Sequence, residues 1–193
     1  MQAHGLAPEF SSDALAEMAA IAGPSQESGA GIEDMRALLW CSIDDDDSQD
    51  IDQLSVCQET KDGWRVLVAI ADVDALVHKG SAIDLHAQVN TASIYTAAHV
   101  FPMLPERLST DLTSLGAHQE RLAIVTEMVV DAQGLVSNFR ICRAQVRNQA
   151  KLAYDSLAAW LDGHGELPAA ARAVPGMDAQ LRGQDAAAQA LRK

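Results

Sequence analysis

Two rhythms of hydrophobic and polar residues alternate along this chain, one close to the helical repeat and one of two residues. The helical rhythm comes first. In residues 11–22, SSDALAEMAAIA, Leu15, Met18, Ala19 and Ala22 recur at helical spacing behind Ser and Asp cap candidates. GPSQESGAG reads as a linker. RALLWCSI, residues 36–43, predicts a short strand, and an acidic loop follows it. Two strand-like runs, DQLSVCQET and WRVLVAIAD, flank KDG, and Asp62-Gly63 is a hairpin signal. Leu54 and Val56 alternate with polar neighbours, which predicts one buried face. The second run is almost continuously apolar, which predicts a central strand covered on both faces.

The spacing predicts a helix over 81–98, with Ile83, Ala87 and Ile94 inward and Asp84, Gln88, Thr91 and Tyr95 along its polar edge. HVFPMLPERLS is a proline-interrupted connection, and STDLTSLG a capped turn closed by Gly116. RLAIVTEMVV and LVSNFRICRAQV are two more strands joined by DAQG. KLAYDSLAAWL and MDAQLRGQDAAAQALRK read as helices.

Composition narrows the class. The 193 residues are 48% hydrophobic and 21% charged, ordinary for a globular domain. With 27 acidic and 14 basic residues the formal net charge is −13, so the chain has no general attraction for polyphosphates. Cys41, Cys57 and Cys142 form no CxxC pair, which points to a reducing compartment, and no apolar run reaches membrane-spanning length. A cytoplasmic protein with no membrane partner is expected.

One stretch stands apart. CSIDDDDSQDIDQL, residues 41–54, carries six aspartates next to a core strand. A solvated turn is one reading. A calcium loop fits poorly, because Gln49 and Ser55 stand where Gly and Glu are needed. A Mg²⁺ site is the third reading, since hard cations take carboxylate oxygens and leave room for a phosphate. Asp50 and Asp52, two apart on an extended chain, would point the same way, and Asp44 could complete the cluster.

Four blocks, in order, resemble the RNase II/RNase R family, the RNB catalytic domain: SIDDDDSQDIDQL, GWRVLVAIADVDALVHKGSAID, SIYTAAHVFPMLPERLSTDLTSLGAHQERLAI and NQAKLAYDSLAAWL. The resemblance implies an α+β fold, with a mixed or antiparallel sheet covered by helices. Residues 1–33 would be an N-terminal helix and linker, and residues 34–193 the N-terminal half of an RNB domain. It also implies a Mg²⁺-dependent hydrolytic exoribonuclease that degrades single-stranded RNA from the 3′ end to nucleoside 5′-monophosphates. Asp44, Asp50 and Asp52 match three of the family's metal-binding aspartates, and Gln53 falls on the remaining one. That departure bears on turnover, because an amide brings no charge and no base. Asp45, Asp46 and Asp47 are extra acids beside it. Tyr95 matches the tyrosine that holds the terminal nucleotides; a lone tyrosine suits core packing first, and a place on the polar helix edge beside Gln88 and Thr91 weighs against that. The rival expectation is a non-catalytic RNA-binding module with a degenerate site. Further RNA-binding segments, absent here, are expected partners.

Overall fold

The computed structural model describes residues 5–97 and 99–193. Helix α1 (Ser12–Ala20) begins where the Ser11 hydroxyl accepts the Ala14 N–H at 3.1 Å, and it buries Ala14 and Met18. Strands β1 (Ile32–Asp34), β2 (Cys41–Asp44), β3 (Gln53–Thr60) and β4 (Gly63–Ala71) follow. Gly63 opens β4 at φ 131°, where a Cβ would lie 2.2 Å from the Val130 carbonyl oxygen, so the hairpin depends on glycine there. After α2 (Ala82–Asn90), β5 (Ile94–Tyr95) and β6 (Val100–Phe101) make a small separate hairpin. A single π-helical turn covers Leu108–Leu112. The chain then runs through β7 (Glu120–Val130), β8 (Val136–Arg147) and β9 (Ala150–Ala153) into α3 (Tyr154–Leu161), α4 (Ala169–Arg172) and α5 (Met177–Leu191).

Seven strands form one sheet in the order β1-β8-β7-β4-β3-β2-β9. β1 joins β8 and β2 joins β9 in parallel; the other neighbours are antiparallel. One sheet face carries the main core, in which Leu54, Val56, Leu67, Ala69 and Val125 pack around Trp40. The Trp40 indole N–H donates to the Met35 carbonyl at 2.8 Å. On the opposite face α5 lies across β3, where Gln180 Oε1 accepts the Cys57 N–H at 3.2 Å. A second core joins α3, α4 and α5 to Cys41 and Leu152, and a third joins α1 and α2 to Leu108 and Leu112. The fold is α+β, with a mixed, mostly antiparallel sheet and helices, as the sequence predicts. No helix among the described residues is long and apolar enough to cross a membrane.

Tertiary context overrides the local pattern at four places. The strand expected over 36–43 begins only at Cys41 and runs to Asp44, because Arg36 N–H turns back to the Asp34 carboxylate at 3.2 Å and Leu38 N–H to Met35 O. The helix expected over 81–98 stops at Asn90, with Thr91 in the left-handed region at φ 58°. Its inward face is Ile83, His86 and Asn90, while Leu85 and Val89 are exposed, since α1 and residues 7–10 pack on that side. Ala150–Ala153 is a strand held by β2, not the start of a helix. β4 is fully covered on one face only: α5 lies over its start, and Ile70 near its end is 45% exposed.

Candidate active-site groove

Asp44 ends β2, and the acidic loop departs from the sheet there. The loop is anchored from below. Ile51 is 2% exposed and sits in the main core. Its N–H donates to Ser114 Oγ at 3.2 Å, its carbonyl accepts Leu115 N–H at 2.7 Å, and Ser114 Oγ donates to the Gln49 carbonyl at 2.8 Å. With Ile51 held inward, the extended chain turns its two neighbours, Asp50 and Asp52, the other way. A second anchor comes from β9, where Lys151 Nζ donates to the carbonyls of Ser48 at 2.6 Å and Asp46 at 3.1 Å. Hydrophobic burial and one cation therefore hold a run of like charges in a fixed shape.

Asp44, Asp50 and Asp52 line one groove of about 1170 Å³, together with Asp45, Asp47, Tyr95 and His99. Gln53 does not line it. As the first residue of β3 it lines a smaller cleft with Ile43, Val68 and Tyr154. Asp44 Oδ2 is buried without a hydrogen-bond partner. Burial pushes the Asp44 pKa up, Asp52 and Asp50 push it further, Lys151 opposes them, and Asp45 adds a smaller rise. An orphaned carboxylate oxygen among like charges is what a cation would relieve, and a set of hard oxygen donors suits Mg²⁺. Among the described residues no three carboxylate, imidazole or thiolate groups already converge on one point, so waters would complete the shell of any ion held here.

Tyr95 reaches this groove from β5 rather than from a helix edge, and it is 69% exposed. Its hairpin is closed by Thr96, whose Oγ1 donates to the His99 carbonyl at 2.6 Å and accepts the His99 N–H at 3.0 Å. His99 packs edge-on against Phe101 with ring centroids 4.7 Å apart. Core packing does not occupy the Tyr95 ring, so its face is open to the groove.

Sequence reasoning missed Lys151, His99 and the N-terminal residues Pro8, Glu9 and Phe10, all of which the structure brings to the loop or the groove. For Lys151 a signal was present. Ala150 and Leu152 are apolar on either side of it, a period of two that a helical reading of residues 151–161 hides.

The RNB domain model matches residues 32–193 of this chain. Ribonuclease R of Acidithiobacillus ferrooxidans is 38% identical over 185 residues, which is 95% of this chain and 39% of that protein. Ribonuclease R of Vibrio parahaemolyticus is 39% identical over 143 residues, 74% of this chain and 17% of its own length. Among solved structures, Mycoplasma genitalium RNase R in complex with double-stranded RNA superposes with a TM-score of 0.90 at 26% identity, over 100% of this chain and 34% of that one. The chain thus spans well under half the length of these relatives. With the family model matching most of its length and Ribonuclease R relatives aligned across 74% and 95% of it, the chain belongs to the RNB-domain family of ribonucleases.

Proposed function

We propose that this chain is the catalytic part of a Mg²⁺-dependent hydrolytic exoribonuclease that shortens single-stranded RNA from the 3′ end and releases nucleoside 5′-monophosphates. The observation that carries this reading is the shared groove: three carboxylates that line it, one with an orphaned oxygen, lie in the same depression as an exposed tyrosine. Mg²⁺ held there would supply positive charge at the phosphodiester. The chain's own residues do the remaining work. Asp44, Asp50 and Asp52 offer oxygens to the ion, and Lys151 keeps their loop in shape. Tyr95 offers a ring on which the terminal base stacks, an interaction any base can make. RNA as the substrate draws support from the RNA-bound Mycoplasma genitalium RNase R structure, and the greater length of the relatives leaves room for further RNA-binding segments. A cytoplasmic location fits three free cysteines.

The test is direct. Full-length protein, Mg²⁺ and a 5′-labelled single-stranded oligoribonucleotide should give a ladder shortening from the 3′ end, with nucleoside 5′-monophosphates released and EDTA stopping it. RNA that is bound yet stays intact would overturn the catalytic reading. A second reading, a non-catalytic RNA-binding module, is favoured by one observation: Gln53 is neutral and lines a different cleft from the aspartates. Under that reading Gln53→Asp switches activity on; under ours it changes an existing rate only modestly.

A further inference from the structure

The groove has a wall that lies outside the RNB domain match, although the Acidithiobacillus ferrooxidans relative aligned over 95% of this chain extends into it. The match begins at residue 32, yet Pro8, Glu9, Phe10 and Leu15 line the same depression as Asp44, Asp50, Asp52 and Tyr95. This wall is built in by several independent contacts. Asn90, 3% exposed, reads the backbone of Ala7 with both ends of its amide: Oδ1 accepts the Ala7 N–H at 2.9 Å and Nδ2 donates to the Ala7 carbonyl at 2.8 Å. A buried side-chain amide thus makes the paired bonds that a neighbouring strand would make, and leaving it unpaired would be costly. Phe10 packs against the buried His86 ring at a tilt of 34°, with centroids 4.1 Å apart. Further along, the Glu17 carboxylate accepts the Ala82 and Ile83 N–H groups at 2.8 and 3.0 Å, closing the first turn of α2. Ala14 and Met18 complete the fastening inside the third core.

We propose that residues 7–15 form a working wall of the RNA groove, with Glu9 as its negative lip. This inference rests on the RNA reading above. Pro8, Phe10 and Leu15 offer apolar surface to bases, and Glu9 repels phosphates, so the wall confines a strand without gripping its backbone. Asn90 is a positioning residue for this wall.

Charge reversal tests the location. Glu9 is exposed, so Glu9→Lys leaves the packing alone. The comparison is Asp62→Lys, which makes the same charge change in the exposed β3–β4 turn. The 8 residues of β3 separate that turn from the acidic end of the sheet, about 25 Å at roughly 3.3 Å per residue and beyond the screening length of about 10 Å at 0.1 M salt. Affinity of full-length protein for a single-stranded oligoribonucleotide is measured in EDTA, so that cleavage does not intervene. Glu9→Lys should tighten binding about fivefold or more, Glu9→Gln less, and Asp62→Lys should leave it unchanged. Equal effects from Glu9→Lys and Asp62→Lys, or none from either, would overturn the wall while leaving the RNA reading standing. Wild-type protein that fails to bind the oligonucleotide at all would remove the RNA reading, and the wall with it.

Discussion

Asp44 carries a cost that its neighbours explain. Its carboxylate ionises partly out of water and beside Asp52 and Asp50, so its pKa lies above the usual range. A raised carboxylate pKa means that the folded state holds the proton more tightly than the unfolded chain does. The resulting stability is present at low pH and lost as pH rises through the folded value. Above that value the metal-free protein bears the penalty. Asp44→Asn should raise its melting temperature, by about 2–4 °C for each 1 kcal/mol recovered, while abolishing nuclease activity. The gain should shrink as pH falls through the carboxylate range, where wild-type Asp44 is already protonated; a pH series of melting curves for the two proteins checks this. Lys151 offers the complementary test. Charged hydrogen bonds contribute about 1.5–3 kcal/mol each when well formed, and this ammonium makes two to the loop carbonyls. Lys151→Met should speed amide hydrogen exchange at residues 45–49 by about tenfold or more, a local effect that mass spectrometry of peptides resolves.

The strands were legible in the sequence to the extent that one face of each is buried. β3, β4, β7 and β8 follow apolar runs bounded by turn residues, and Asp62-Gly63 marks their first hairpin, because alternation and glycine chemistry are local facts. β9 shows only the brief alternation around Lys151, and the end of α2 shows none, because non-local partners decide both. Ala150–Ala153 is extended since β2 pairs with it, and α2 ends where Asn90 turns its side chain to Ala7. Tyr95 thereby moves from a helix edge to a hairpin; what singled it out was the resemblance of its block to the RNB family, not its spacing. Alternation along an extended chain pairs Asp50 with Asp52 and turns Gln53 away from them; that Asp44 lines the same groove was not legible, because it rests on how β2 and the loop lie against each other. A turn makes the element-scale prediction. Gly134 joins β7 to β8 at φ 82°, and a Cβ there would lie 2.3 Å from the Ala190 carbonyl oxygen at the end of α5. Gly134→Ala should destabilise by about 1–3 kcal/mol, with the melting temperature and α5 exchange rates both reporting it.

The chain as a whole is an acidic body with a net charge of −13, and its cations are largely engaged with one another's neighbours. Among the described residues Arg36, Arg65, Arg121, Arg140, Arg143 and Arg172 each face a carboxylate within 4.0 Å, and Arg182 lies over the Trp160 ring at 4.3 Å. These seven are half of the 14 basic residues, Lys151 holds the acidic loop, and the six others are spread along a chain in which acids outnumber them. RNA binding by this chain should accordingly depend weakly on salt, with a log–log slope smaller in magnitude than about 2, since each phosphate contact on a single strand adds about 0.7. Affinity titrations from low to moderate salt measure that slope, and a steep one would mean that a basic surface forms in solution. The anchoring of Ile51 reaches across the same body. Because a methyl-filled pocket beneath the acids sets their spacing, a search for inactive variants should recover aliphatic residues of the interior beside the charged ones. Ile51→Ala would pass for a catalytic lesion although its side chain touches neither metal nor nucleotide.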